Sequence, residues 1–125
     1  MEEGVINSIK SSHLKEIFTS SSFVTSTDGS GNNWAQGYSE YGPMYHEDLL
    51  ESIRKESESC DSLASFFLIH SVGGGTGSGL GSYLTQILED VYPGVIRFNN
   101  CIFSGGDGDV VTSPYNRYQS FYVHE

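Results

Sequence analysis

The run Gly73-Gly74-Gly75-Thr76-Gly77-Ser78-Gly79 carries the most pointed chemistry in this chain. Glycine lets a backbone approach a ligand closely, because no Cβ stands in the way. The run follows the apolar stretch Leu63 to Val72 and precedes a helical spacing of apolar residues at Leu80, Leu84, Ile87, Leu88 and Val91. A turn between a buried strand and a helix N-terminus presents unpaired N–H groups and a partial positive charge, which suits an anion such as phosphate. Ser71 and Thr76 can add hydroxyl donors. Two better-known phosphate loops do not match. No lysine follows these glycines, as the P-loop G-x-x-x-x-G-K-S/T requires, and no three glycines fall at the G-x-G-x-x-G spacing. The competing reading is a Gly/Ser linker, or a tight helix start that binds nothing.

Composition narrows the ligand and the partners. The chain has 125 residues, the size of one domain, with 16 acids against 6 bases and a net charge of −10. Hydrophobic residues make up 37% and aromatics 13%, above the regime of intrinsic disorder. The lysines and arginines never form a basic stripe, so no nucleic-acid partner is expected. No apolar run reaches the roughly 18 residues of a membrane span. Met-Glu-Glu-Gly lacks the basic and apolar regions of a signal peptide, so the chain reads as soluble and intracellular. Cys60 and Cys101 have no metal-ligand spacing around them and are expected to be two buried, reduced thiols rather than a disulfide.

The elements that must position the glycine run are read from hydrophobic period. Gly4 to Phe18 is a helical stripe, and His46 to Glu58 an exposed amphipathic helix. Phe23-Val24 fits a brief strand within a Ser/Thr-rich loop, while Gly29 to Asn33 is turn chemistry tolerant of positive φ. Trp34 to Pro43 is expected to be irregular. Leu63 to Val72 is a near-continuous apolar run, as in parallel strands buried on both faces. Leu80 to Val91 is the next helix, stopped by Pro93-Gly94, and Val95 to Phe103 the next strand. Val110 to Thr112 is expected to be extended, and Arg117 to Glu125 shows no clear period. Helix, strand, glycine turn, helix, strand is the pattern of an α/β fold with a parallel sheet flanked by helices.

Other constellations carry less. His70 beside Ser71 suggests a catalytic pair, but adjacent strand residues face opposite ways, so His70 reads as a core histidine. Asp107 and Asp109 lack EF-hand spacing and read as a solvated acidic loop. No Ser-His-Asp, H-E-x-x-H or paired-Cys site can be assembled.

Several segments together resemble the tubulin family. GGGTGSG after a strand ending in His-Ser matches its phosphate-loop signature, and GNNWAQG at Gly31 to Gly37 is similar to its GNNWAxG loop. IRKESESCD at Ile53 to Asp61 and VVTSPYN at Val110 to Asn116 extend the resemblance, which covers Met1 to Asn116. MEEGV, IHSVGGGTGSGLG, LEDVYP and the acidic SGGDGDVVTSPYN resemble the epsilon type, with the delta type next.

The resemblance implies part of a tubulin-type, Rossmann-like GTPase domain over 1–116, with 117–125 a divergent tail. It implies GTP as ligand, its phosphates wrapped by Gly73, Gly74, Gly75, Thr76, Gly77, Ser78 and Gly79, with Ser71 and Thr76 as hydroxyl contacts. Gly31 and Asn32 match the loop that senses the terminal phosphate, and Asp109 falls where the family contacts the ribose. Glu2 matches an acid associated with the nucleotide's magnesium. Asn32 also reads as a turn residue in left-handed geometry, and Glu2 as a solvated acid. Ser113 stands where alpha- and beta-tubulins carry the glutamate of a second sugar contact, a departure from the family's pattern that leaves this contact unassigned here. The family's first strand, its Gln/Gly-rich loop and its base-gripping and hydrolysis-completing segments have no counterpart in 1–125, so the sheet is expected to be incomplete and catalysis is left unassigned. The implied role is that of a GTP-binding cytoskeletal protein, assembling with other tubulin subunits in microtubules and located in the cytoplasm, cytoskeleton and centrioles. The alternatives are a fragment without competent GTP binding and an independent nucleotide-binding enzyme.

Overall fold

Alternating side-chain direction makes the apolar runs near residues 63–72 and 95–103 into strands, and a computed structural model shows how they pair. It describes residues 3–18, 22–103 and 110–123. Strand β1 (Ser65–Ser71) lies parallel to β2 (Ile96–Ile102), in register from Ser65 opposite Ile96 to Ser71 opposite Ile102. Parallel neighbours need a crossover. Here it is a π-helical turn, Thr76–Leu80, that runs directly into helix α4 (Gly81–Val91). Before the sheet come α1 (Glu3–Ser11), a 3₁₀ turn at His13–Glu16, a π-helical turn at Gln36–Tyr41, the short α2 (Gly42–Met44) and α3 (His46–Glu58). After it comes α5 (Ser113–Tyr122). The chain is thus an α/β unit with a two-stranded parallel sheet among the described residues.

The core lies between the helical layers. Tyr41, Leu49, Leu80 and Ile87 form its buried centre, and Val24, Tyr45, Leu50, Tyr83 and Leu84 pack around it. Leu49, Leu50 and Ile53 fall on the inward side of α3, whose outer side carries Glu51, Arg54 and Glu58. Arg54 donates to Glu51 at 2.8 Å and to Glu58 at 2.6 Å, the i,i+3 and i,i+4 pairs that support an exposed helix. The hydrogen bonds from Arg54 hold the Glu51 carboxyl down at about 2.

Several sequence expectations change. The β1 run is not buried on both faces. Leu68 is buried and Phe66 and His70 are half-buried, whereas Phe67 is 64% exposed and its neighbour Phe98 53%. The physical reason is a single layer: α4 lies against one side, and among the described residues no element covers Phe67, Ile69, Ile96, Phe98 and Ile102. Trp34 to Pro43 is helical rather than irregular, because Asn33 caps it, its Oδ1 accepting the Ala35 N–H at 3.0 Å. No strand forms at Phe23-Val24. Val110 to Thr112 is a turn, closed by Ser113 N–H donating to the Val110 carbonyl at 3.0 Å, and α5 continues without a break from Ser113 through Tyr122. Both cysteines are free, as expected, but Cys60 is exposed and Cys101 half-buried, with burial pushing the Cys101 thiol up.

Two outcomes follow from this layering. Leu68→Ala should cost about 2–4 kcal/mol, while Phe67→Ser on the bare face should cost under about 1 kcal/mol; chemical denaturation of the two variants distinguishes one covered face from two. The depressed Glu51 carboxyl contributes stability that is present above its ordinary 4.5 and is lost as pH falls from there towards 2. Arg54→Gln should therefore be slightly less stable than wild type at pH 7, and the two should converge by about pH 2 in acid titrations followed by circular dichroism.

Candidate functional site

Glycines bring two loops together with almost nothing between them. The π-helical turns Gln36–Tyr41 and Thr76–Leu80 cross at backbone contact. A Cβ on Gly37 would stand 2.4 Å from the Gly75 carbonyl oxygen, and one on Gly79 would stand 2.2 Å from the Trp34 carbonyl oxygen. Likewise a Cβ on Gly77 would meet the Ser71 carbonyl oxygen at 2.3 Å, so the new helix folds directly back over the end of β1. Gly74 differs: its Cβ would have only an ordinary contact, 3.5 Å to Asn32 Oδ1. His70 completes the junction, its Nδ1 2.7 Å from the Gly77 carbonyl oxygen and its Nε2 3.8 Å from Cys101 Sγ. It is a half-buried strut between strand and helix rather than a member of the buried core.

The crossing leaves a cleft of about 480 Å³, lined by Gly29, Ser30, Gly31 and Asn32 from one side and Gly74, Gly75, Thr76 and Gly77 from the other. Gly31 and Asn32 have φ of +54° and +53°, a left-handed pair that turns the first loop into the cleft wall. Ser30 Oγ and Thr76 Oγ1 lie 2.9 Å apart and tie the two walls. None of the described lining residues carries an ionisable side chain. What the cleft offers is the first turn of the helix that begins at Thr76, whose leading N–H groups have no acceptor inside the helix, together with two hydroxyls. That donor set suits an oxyanion and needs no lysine.

Of the residues singled out by sequence, Gly31, Asn32, Gly74, Gly75, Thr76 and Gly77 line this cleft. Ser78 and Gly79 are buried behind it, with Ser78 Oγ donating to the Gly74 carbonyl. Gly73 is buried, and Ser71 is exposed at the end of β1, its Oγ accepting the Gly73 N–H at 3.3 Å. Glu2 and Asp109 lie outside the described residues, as does Asp107.

One residue that the motifs left without a role sits behind both walls. Asn116, in the first turns of α5, is 3% exposed. Its Nδ2 donates to the Asn32 carbonyl at 2.8 Å and to the Gly73 carbonyl at 2.9 Å, while its Oδ1 accepts the Trp34 N–H at 3.0 Å. Thr112 Oγ1 donates to the same Asn32 carbonyl at 2.6 Å. Deeper in, Ser120 Oγ and Ser82 Oγ both donate to the Ser78 carbonyl, at 3.3 and 2.7 Å. The one available signal was the end of VVTSPYN, which lies far from the glycines in sequence.

Comparison with known proteins gives this arrangement a family. A family model described as the Tubulin/FtsZ family, GTPase domain, matches residues 1–122. The chain is 51% identical to the tubulin epsilon chain of Mus musculus over 116 residues, which is 93% of this chain and 24% of that protein. It is 52% identical to the tubulin delta chain of Homo sapiens over 88 residues, 70% of this chain and 19% of that one. To the tubulin beta-1 chain of Homo sapiens it is 44% identical over 117 residues, 93% of this chain and 26% of that relative. The chain therefore spans about a quarter or less of the length of these relatives.

If the glycines serve the crossing, alanine should discriminate among them. Gly77→Ala and Gly79→Ala each press a methyl group onto backbone and should cost more than about 3 kcal/mol or abolish a cooperative melt, whereas Gly74→Ala should cost no more than about 1 kcal/mol. Thermal melts of the three variants check this ordering.

Proposed function

The chain belongs to the Tubulin/FtsZ family through its GTPase domain, and on that premise we propose that residues 1–116 bind GTP by its phosphates in the cleft between Gly29–Asn32 and Gly74–Gly77. The observation that carries the reading is the cleft itself: two loops of quite different sequence position converge on one space walled by backbone and hydroxyl groups, at the N-terminus of the helix that begins at Thr76. Its volume of about 480 Å³ is in the range of small-molecule sites. In this reading Gly31 and Asn32 meet the terminal phosphate, and Gly73 to Gly79 supply the backbone wrap with Ser71 and Thr76 as hydroxyl contacts. Asp109 takes the ribose, and residues 117–125 form a divergent tail, of which Arg117 to Tyr122 lie in α5.

Magnesium fits only as a companion of the phosphates. Among the described residues no group of three His, Cys, Asp or Glu side chains could hold a metal by itself. A hard cation at this site would take phosphate and water oxygens with a single carboxylate, the role we assign to Glu2. Within the parent family the chain reads as epsilon-like: a cytoskeletal component that assembles with other tubulin subunits in microtubules and resides in the cytoplasm at centrioles. Among the described residues no helix is long and apolar enough to cross a membrane.

The cleft reads phosphate; guanine enters through family membership. Titration of the purified chain with GTP, ATP and GMP separates the two. GTP and ATP should bind with similar affinity and GMP at least about tenfold more weakly, because the contacts are to the phosphate chain. GMP binding as tight as GTP binding, or no GTP binding by a chain that melts cooperatively, would sink the proposal.

A further inference from the structure

An anion cleft built from backbone has a weakness: each peptide that offers an N–H also carries a carbonyl oxygen of the opposite polarity, and a carbonyl turned towards the anion repels it. Here the two loops that wall the cleft each have a carbonyl engaged from behind by the same side chain. The Asn116 amide donates one N–H to the Asn32 carbonyl at 2.8 Å and the other to the Gly73 carbonyl at 2.9 Å. Thr112 Oγ1, at 2.6 Å, takes the second acceptor position on the Asn32 oxygen. Asn116 Oδ1 accepts the N–H of Trp34, where the first loop becomes helical. Both amide hydrogens are thus spent on the two walls, and the residue is 3% exposed, so it touches no ligand itself.

We propose that Asn116 is a positioning residue for phosphate binding: it draws the Asn32 and Gly73 carbonyls to the back of the cleft and thereby fixes which peptide groups face an anion. The inference deepens the GTP reading and rests on it. The chemistry demands an amide. Aspartate has nearly the same shape and can still accept the Trp34 N–H, but its carboxylate has no donor and sets negative charge against two carbonyl oxygens. The protonated acid regains one donor. Asn116→Asp therefore makes a pH-readable variant.

The test compares binding of GTP and of inorganic tripolyphosphate to wild type and Asn116→Asp at pH 8 and pH 5.5, each variant normalised to wild type at the same pH. The expected result is a loss of at least tenfold for both ligands at pH 8, partly recovered at pH 5.5, in protein that still melts cooperatively. A merely structural role would lower the melting temperature and leave the affinity of the folded protein, and its pH dependence, like those of wild type; that result would overturn the inference. Should Asn116→Asp fail to fold, Thr112→Val decides. It removes the other donor to the Asn32 carbonyl and is expected to weaken tripolyphosphate binding three- to tenfold, so unchanged affinity overturns the idea. Wild type that binds tripolyphosphate without GTP refutes the GTP reading alone, and the variants then test the inference on tripolyphosphate. Wild type that binds neither refutes both.

Discussion

The contact on which the structure depends is backbone against backbone, where the turn Gln36–Tyr41 crosses the turn Thr76–Leu80. Helical segments ordinarily meet through side chains with their axes about 8–10 Å apart. Here Gly37, Gly75 and Gly79 remove the side chains: a carbonyl oxygen stands where the Cβ of Gly37 or Gly79 would be, and the Ser30 hydroxyl where that of Gly75 would be. Tyr41 and Leu80, at the far ends of the two turns, then fall into one buried cluster with Leu49 and Ile87. The same approach sets Ser30 Oγ within 2.9 Å of Thr76 Oγ1 and so fixes the width of the cleft. Core and cleft are two consequences of one close crossing.

This arrangement also answers the electrostatic problem posed by a net charge of −10. Binding a polyanion usually recruits lysine or arginine, yet Arg54 pairs with Glu51 and Glu58, Arg97 with Glu89, and Arg117 lies over the Phe103 ring. With no ionisable side chain among the described residues that line it, the cleft has oriented N–H dipoles as its source of positive potential there. Dipoles have a far end, so orientation is everything. The amide of Asn116 and the hydroxyl of Thr112, reaching in from α5, act on that far end.

How much of this was legible in sequence depends on whether the governing contact is local. Hydrophobic pattern located α3, β1, α4 and β2: the helices because the apolar residues mark a side that packs inward, the strands because they are apolar runs of strand length, although Phe67, Ile69, Phe98 and Ile102 stay exposed. It failed at Trp34 to Pro43, where helix formation rests on the Asn33 cap and on glycines that look like breakers until their tertiary partners are known. The apolar run of β1 predicted two covered faces, yet hydrophobicity reports what a strand can bury, not which elements are there to bury it. The glycine run was legible as a wall of the cleft, and the resemblance supplied the opposite wall at Gly31 and Asn32. The division of labour within the run was not: Gly74 to Gly77 line the space while Ser78 and Gly79 serve the packing behind it. Asn116 stayed invisible because its partners, Asn32, Trp34 and Gly73, lie more than forty residues away.

The sheet plays a narrower part than its apolar character suggests. One side holds Leu68 against the helical layer, and the other shows Phe67, Ile69, Phe98 and Ile102 without a cover among the described residues. What the strands contribute to the cleft is confined to their carboxyl ends, where ligands of open α/β sheets bind. There the ladder runs one step beyond β1, with the Val72 N–H donating to the Ile102 carbonyl at 3.2 Å, and Val72 is fully buried. That bond fixes the last residue before the glycines, the Gly77 contact folds the helix back over Ser71, and Asn116 seizes the Gly73 carbonyl between them. The mouth of the loop is held from three directions by groups that lie at or behind its base, which leaves the geometry of the cleft independent of whatever covers the far face of the sheet.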